Sequence, residues 1–368
     1  MKILCLMVGL LATLESTVAT LKVGTAVVDI SPTVKPFQLR SGKSTYVHDP
    51  LHVRAVAFEN GEGRVVIAVM DAIGVGREMC DEAKAAAAKV TGWKPHEMLI
   101  AGTHTHTAPK GGDTSLGRIA YEKTRRAGLR QALIKAIQSL EPAKVGFGSA
   151  QEASEVYNRR WHLKPGRMDP NPWGIQDKVR MNPPRAPFEQ VRVVATKTAT
   201  AAWRAVKGIE TYYDNPTIAV RQREVELRYR VPTDTEIAKA RQILALPPKE
   251  RLALHSKASS YATHTMRFAA PDAPRTEKVI VQAIRIGDQA VVAMPFEVLV
   301  EIGLEIKEKS PFPHTFLIEL ANGGYGYLPP PNQHDLGGYE TWLGTSRFLP
   351  NTSTLLTRNL LAMLKELN

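Results

Sequence analysis

The sequence has little cysteine, and it has no long apolar run after its first residues. Its two cysteines among 368 residues are Cys5 and Cys80. Cys5 lies in an N-terminal stretch that we expect to be removed, so Cys80 stands alone and an internal disulfide framework is excluded. No later segment offers the ~20 uncharged apolar residues that a membrane-spanning helix needs. These absences argue against a disulfide-stabilised small domain and a transmembrane protein.

Acidic residues are fewer than basic ones, with 36 Asp and Glu against 48 Lys and Arg, for a net charge of +12. This balance favours acidic partners. The basic residues are scattered, however, and they lack the interleaved aromatic residues typical of RNA-binding proteins, so we expect no nucleic acid partner. An anionic membrane surface is the better candidate. The sequence leaves the oligomeric state open.

The first residues resemble an export signal. Lys2 precedes an apolar run over 3–12, and small residues lead to Ala19. A charged start, a short apolar core and a small-residue cleavage site are typical of a signal peptide. We therefore predict a signal peptide at 1–19, one large domain at 20–368, and a secreted or periplasmic protein.

Strand-like and helix-like segments alternate along the chain, which favours an α/β fold: a single large domain with mixed, partly antiparallel sheets flanked by helices. Six prolines at 163–187 predict a long surface loop there. Predicted strands occupy 22–30, 51–59, 64–71, 97–103, 143–148, 217–230, 278–286, 289–294 and 315–320, and predicted helices occupy 77–91, 116–140, 188–206, 233–245, 296–309 and 352–366.

Two histidines follow the apolar strand at 97–103. His104 and His106 are two residues apart, and Pro109 breaks the run after them. Side chains at this spacing on a strand share a side, and polar residues just beyond a strand end are typical of α/β sites. Imidazole is the commonest metal ligand of proteins, so the pair predicts a metal site. A surface turn with two solvated histidines is the alternative at this point.

The segment Gly102–Ala108 resembles the Gly-Thr-His-Thr-His-Ser-Gly-Pro signature of the neutral/alkaline non-lysosomal ceramidase family, with Thr107-Ala108 in place of Ser-Gly. Other segments resemble that family in the same order along the chain. They are Val23–Pro32, His52–Phe58, Val65–Asp71, Asn158–Arg159, Met294–Glu297, Asn322–Pro329 and Gly338–Glu340.

The resemblance implies a zinc site and a hydrolytic function. By motif position it assigns His104, Glu297 and Tyr327 as the metal ligands, and histidine, carboxylate and one open position suit catalytic Zn²⁺. His106 is implied either as a substitute ligand or as a neighbour that orients His104. Arg159 and Tyr339 resemble family residues that contact the substrate amide. The strands at 97–103, 289–294 and 315–320 are expected to deliver this site from their C-terminal ends.

One departure from the family lies between Met181 and Phe188. There the family has a segment with another zinc-binding histidine and the active-site serine, whereas this chain passes almost directly to Arg185. Three interpretations stay open. The chain is a secreted zinc-dependent amidohydrolase that cleaves a ceramide-like N-acyl amide, impaired by the missing segment; or a non-catalytic protein that binds a lipid or glycan; or the segment is missing only from the sequence as given.

Overall fold

The computed structural model describes residues 20–39, 42–111, 115–156, 160–162, 179–181 and 188–368. The strands in these ranges are β1 Lys22–Asp29, β2 Phe37–Leu39, β3 Gly42–Ser44, β4 His52–Glu59, β5 Arg64–Met70, β6 Met98–Gly102, β7 Glu141–Pro142, β8 Val145–Gly146, β9 Arg160–His162, β10 Val179–Met181, β11 Tyr212–Tyr213, β12 Ile218–Arg228, β13 Thr276–Ile286, β14 Gln289–Ala293, β15 Glu297–Val298, β16 His314–Ile318 and β17 Tyr327–Leu328. The helices are α1 Arg77–Thr91, α2 Leu116–Gln138, α3 Phe188–Lys207, α4 Asp234–Ala245, α5 Pro248–Leu254, α6 Ala258–Ala269, α7 Val300–Lys309, α8 Pro331–Leu336 and α9 Thr352–Leu367. None of these helices combines the length and apolar character needed to cross a bilayer.

Two larger sheets organise the described residues. The first has the order β6-β5-β4-β1-β7, and the second has the order β12-β13-β14-β16. Most neighbouring strands are antiparallel, but β5 pairs with β6 and β14 with β16 in parallel. This confirms the predicted α/β fold class with mixed sheets.

The two sheets face each other between two layers of helices. The first sheet shares an apolar core with α1 and α2, and the second shares one with α7 and α9. A further core joins the sheets directly, with Leu99 and Ala101 from β6 and Val291 and Ala293 from β14. The layers therefore run helix, sheet, sheet, helix.

Burial on both faces explains why β6 and β14 are apolar at nearly every position. In β6, Met98 and Ile100 face the helices, whereas Leu99 and Ala101 face the other sheet. Successive strand residues point to opposite faces, so a strand between two apolar layers needs apolar residues at every position. Strand β6 is therefore held rigidly between the helices and the second sheet, and the histidines follow directly after it.

Several predicted elements need correction. The helix predicted at 296–309 begins only at Val300, because the backbone N–H of Glu297 donates to Gly326 O (2.9 Å) and Glu297 pairs with Tyr327 as a short strand. The strand predicted at 143–148 is only Val145–Gly146. In the Pro-rich segment at 163–187, Val179–Met181 forms a strand with β9 rather than irregular loop. The rest of that segment, and the predicted signal peptide at 1–19, lie outside the described residues.

Candidate active site

The loop after β6 holds His104 in an unusual backbone conformation. Its φ is +59°, in the left-handed region that non-glycine residues seldom adopt. The backbone on each side is fixed, since Thr103 N–H donates to Met70 O (2.9 Å) and Thr105 N–H donates to Ala72 O (3.1 Å). The backbone at the end of β5 and just after it thus fixes this loop through two hydrogen bonds. Such local strain is typical of functional sites, where the surrounding structure enforces it.

His104 and His106 contact each other, as the sequence predicted, but the strand alternation expected to cause this is not the reason. Gly102 ends β6, so both histidines lie in the loop. Their rings meet edge to face with centroids 4.5 Å apart, and their Nε2 atoms are 3.0 Å apart. The positive φ of His104 therefore brings the rings together where a continued strand would not.

The two ring nitrogens of His104 differ in their partners and in protonation. Nδ1 lies 2.7 Å from Ile73 O, and because a carbonyl only accepts hydrogen bonds, Nδ1 carries a proton. In a neutral ring this leaves the lone pair on Nε2. Metal-binding histidines are commonly oriented in this way, by a backbone carbonyl on the second nitrogen.

Glu297 lies close to the same nitrogen, as His106 does. Its Oε2 is 3.3 Å from His104 Nε2, and the two side chains are 21% and 31% exposed. Two acceptor atoms at this distance repel each other unless a proton or a metal cation lies between them. Donors bound to one tetrahedral zinc ion are about 3.3 Å apart, so the spacing fits two ligands of one ion.

The backbone of Tyr327 lies next to that of Glu297. It pairs with Glu297 across the parallel strands β15 and β17, and its own N–H donates to Thr345 O (3.0 Å). Within the described ranges, no group of three His, Cys, Asp or Glu side chains is arranged to hold a metal ion. A metal site built from the described residues alone would need a ligand of another type, and Tyr327 is the one that the family resemblance implies.

An aromatic wall, formed by Tyr261, Tyr327, Tyr339 and Trp342, adjoins this pair. Tyr339 meets Tyr327 at 5.7 Å and Trp342 at 5.3 Å between ring centroids, and Tyr261 meets Trp342 at 5.3 Å. The Tyr261 phenol is hydrogen-bonded to the Thr345 hydroxyl, and burial raises its pKa. Since the Thr345 carbonyl binds the Tyr327 backbone, Tyr261 helps to hold the loop that carries Tyr327. The sequence analysis missed Tyr261, which has no distinguishing motif around it.

The predicted substrate-contacting Arg159 lies outside the described residues, but the adjacent Arg160 is described. Its guanidinium forms an ion pair with Glu340 and donates to Gly337 O (2.6 Å). Both side chains are nearly buried, at 10% and 2% exposure. The pair therefore ties the strand after Arg159 to the loop that holds Tyr339. Sequence reasoning missed it, although both residues adjoin segments that resemble the ceramidase family.

A buried polar network connects the supports of the site. Asn322, also at positive φ (+59°), donates its backbone N–H to Ile100 O (2.7 Å) and its side-chain amide to Gln282 Oε1 (2.9 Å). Its Oδ1 accepts from Lys84 Nζ (2.7 Å) and from Ile100 N–H (3.3 Å). Burial lowers the pKa of Lys84 to about 8. The network links α1, β6, β13 and the loop leading to Tyr327.

Cys80 is fully buried on α1. Burial raises the pKa of its thiol to about 12, so it is protonated at neutral pH. A thiolate nucleophile is therefore not available at this position.

Comparison with known proteins finds matches among solved structures but none by sequence. No protein-family model matches the chain, and no curated protein matches its sequence. The crystal structure of neutral ceramidase from Pseudomonas aeruginosa is similar at a TM-score of 0.66 and 14% identity, covering 95% of this chain and 74% of that one. A structure of ceramidase complexed with C2 is similar at 0.67 and 13%, covering 95% and 75%. The chain therefore has the fold of the neutral ceramidases, as its motifs implied.

Proposed function

We propose that this protein is a secreted zinc-dependent amidohydrolase of the neutral ceramidase type, which cleaves a ceramide-like N-acyl amide. The observation that carries the proposal is the approach of His104 Nε2 to Glu297 Oε2 at 3.3 Å, with Nδ1 bound to Ile73 O. These are two of the three residues that the family resemblance assigns as ligands, from segments far apart in sequence. The shared fold is the second support.

In this proposal His104, Glu297 and Tyr327 hold one zinc ion. When bound, zinc supplies Lewis acidity, which activates water and polarises an amide carbonyl. His106 contacts Nε2 of His104 and either orients that ring or adds a ligand. Glu297 supplies negative charge that offsets the charge of the cation.

The other residues act on the substrate. Tyr339 and Arg159 contact the scissile amide, where their donors would stabilise charge developing on the carbonyl oxygen. The aromatic wall offers apolar surface for a lipid-like substrate, and its ring contacts hold Tyr339 in place. A basic, exported protein with such a substrate would work at an anionic membrane surface.

We expect the turnover to be low. Between Met181 and Phe188 the chain lacks the segment that carries a histidine and a serine in the family. Loss of one donor to a developing oxyanion typically costs about 10²–10³ in turnover. Residues that act in one step are not additive, so the combined loss need not be the product of the two.

The test is hydrolysis of a short-chain ceramide by purified protein with and without added zinc. We expect slow, zinc-dependent release of fatty acid that is lost in His104→Ala and Glu297→Ala. His314→Ala is the matched control, because His314 is exposed at the start of β16. Equal release by the parent and by His104→Ala would contradict the proposal, and a rate typical of efficient hydrolases would contradict the proposed impairment.

A lipid- or glycan-binding protein without turnover is the second candidate. It is favoured by the missing segment and by the lack of three clustered His, Cys, Asp or Glu ligands in the described part of the chain. Stoichiometric binding of the ceramide, with no release of fatty acid at any zinc concentration, would support this candidate over the first.

A further inference from the structure

Helix α3 carries apolar residues on a side that faces solvent. Five exposed apolar residues recur at helical spacing and form what we call the outer face of α3: Val191, Ala195, Ala199, Ala202 and Val206. Trp203 lies at the edge of this face, and Trp203 and Val191 are 60% and 67% exposed. Among the α3 residues whose burial is described, only Ala201 is buried. A helix of a globular protein normally turns its apolar stripe towards the core, so a stripe turned outwards indicates a docking surface.

The opposite side of α3 attaches the helix to the preceding segment of the chain through polar contacts. The Gln190 amide donates to Glu155 Oε2 (2.8 Å), and Lys197 Nζ donates to Glu155 Oε1 (2.7 Å). Further along the helix, Arg204 donates to Gln151 O (3.2 Å). Because Gln190, Lys197 and Arg204 recur every two turns at about 3.6 residues per turn, they share one side of the helix, roughly opposite to the outer face. The attachment therefore leaves the outer face in contact with solvent.

Basic residues accompany the outer face. Helix α3 contains four basic residues and one acidic residue, Glu189. The ammonium of Lys207 lies over the Trp203 ring, with Nζ 4.7 Å from the ring centroid. A cation beside a tryptophan at the border of an apolar stripe is typical of helices that lie in the headgroup region of a bilayer, where the indole has one apolar and one polar neighbour.

Charge distinguishes a lipid surface from a second copy of the chain as the occupant of this face. The chain carries a net charge of +12, and contact between two outer faces would bring two basic helices together. Such like charges oppose association. An anionic bilayer instead offers an apolar interior for Val191 and Val206 and negative headgroups for Lys207. Each basic residue near such a surface strengthens binding by about fivefold.

We propose that the outer face of α3 docks the protein on an anionic lipid bilayer, with the helix lying in the plane of the headgroups. The inference rests on the proposed function for the membrane as partner, and it assigns to that partner a surface outside the candidate site. The apolar side chains of the outer face enter the bilayer, while the polar contacts on the opposite side keep the helix attached to the protein.

The segment that holds α3 leads to the candidate site. Glu155 is five residues before Arg160, so their Cα atoms lie at most about 18 Å apart. Arg160 in turn pairs with Glu340, next to Tyr339. Docking through α3 thus connects the membrane surface, over a short stretch of chain, to the loop that carries Tyr339.

The experiment measures cosedimentation of the purified protein with two kinds of vesicle, so that it does not depend on turnover. One kind is phosphatidylcholine alone, and the other contains equal parts of phosphatidylcholine and phosphatidylglycerol. We expect the parent to bind the anionic vesicles roughly tenfold or more tightly than the neutral ones. Trp203→Gln combined with Val206→Gln should weaken this binding by about tenfold or more, because two apolar side chains no longer enter the bilayer. Lys207→Gln should weaken it by about fivefold.

Leu252→Gln and Lys249→Gln are the matched controls, because both residues are exposed on a different helix, α5, and both variants should bind like the parent. All the substituted side chains are exposed, so the urea midpoints should agree and show that each variant is folded. Unchanged vesicle binding by the double variant, an equal loss in Leu252→Gln, or no preference for anionic vesicles would overturn the inference. A dimer that the parent forms without vesicles and the double variant loses would also overturn it, in favour of a second copy.

Failure of the proposed function gives a different result. Vesicle binding without hydrolysis of ceramide would contradict the enzyme and keep the docking surface. Hydrolysis of a soluble short-chain ceramide without vesicle binding would contradict the docking surface and keep the enzyme.

Discussion

Lys84 gives the most quantitative test of the polar network beneath the site. Its side chain is 2% exposed and donates to Asn322 Oδ1 at 2.7 Å. Burial is the largest cause of its lowered pKa and Arg77 lowers it further, whereas Cys80 and Asp81 oppose the shift. No carboxylate in the described residues forms an ion pair with it. The folded protein therefore pays a desolvation cost whenever Lys84 is protonated.

The size and sign of this cost follow from the pKa. The folded-state pKa is about 8, against an ordinary value of 10.5. At about 1.4 kcal/mol per pKa unit, the difference corresponds to about 3 kcal/mol. Between pH 8 and 10.5 the unfolded chain binds more protons at Lys84 than the folded chain does, so the stability contribution rises with pH in this window. Below pH 8 the full cost applies, and above 10.5 it vanishes.

The perturbation is Lys84→Met, which keeps the length of the side chain and removes its charge. We expect the free energy of unfolding of the parent to rise by about 3 kcal/mol relative to the variant between pH 7 and 10.5. Urea titrations at a series of pH values measure this, and groups common to both proteins cancel in the difference. Lys249→Met, at an exposed site, should follow the parent. Parallel pH profiles for parent and Lys84→Met would refute the reasoning.

Two further predictions concern the loop that carries Tyr339 and its neighbours. Glu340→Gln should lower the free energy of unfolding by about 3–5 kcal/mol in urea titrations, because it removes the carboxylate that pairs with the nearly buried Arg160 guanidinium; a loss below about 1 kcal/mol would contradict the role of this ion pair. Tyr261→Phe should cost about 1–3 kcal/mol by the same measurement, since it leaves the buried Thr345 hydroxyl without its partner; unchanged stability would mean that this contact does not hold the loop.

The elements that the sequence predicts well have a strong local pattern. Helix α1 occupies 77–91 as predicted, because its buried residues recur at helical spacing: Met79, Cys80, Ala83, Lys84 and Ala87. Strands β6 and β14 are apolar at nearly every position, as burial between two layers requires. Their predicted ends are correct to within about a residue, since the pattern stops where the burial stops.

The elements that the sequence mispredicts depend on contacts distant in the chain. The periodicity of 296–309 is helical throughout, but Glu297 pairs with Tyr327, which no local pattern reveals. Helices α5 and α6 were also missed: α5 has no buried residue, and the residues that α6 buries are Ala258, Tyr261, Ala262 and Thr265, which form no long apolar stripe.

In the candidate site, too, residues within a local motif were predicted, and residues that depend on distant contacts were missed. His104, Glu297 and Tyr327 were proposed through motifs; the structure places the His104 and Glu297 side chains 3.3 Å apart and pairs the backbones of Glu297 and Tyr327. Lys84 was missed because a lysine in an alanine-rich helix is normally solvated, and only the fold places it beside Asn322. Arg160 likewise acquires a role only when the chain places it at the loop around Tyr339. Sequence patterns thus predicted which residues form the candidate site, whereas the residues that support it became visible only in the folded chain.

The most direct test of the central claim is the zinc content of the protein after equilibration with excess zinc and removal of the free metal. We expect close to one zinc ion per chain in the parent and in the His314→Ala control. We expect loss of that zinc in both His104→Ala and Glu297→Ala, because each removes one donor of the pair that lies 3.3 Å apart. Stoichiometric zinc retained in both variants, or none in the parent, would contradict the claim.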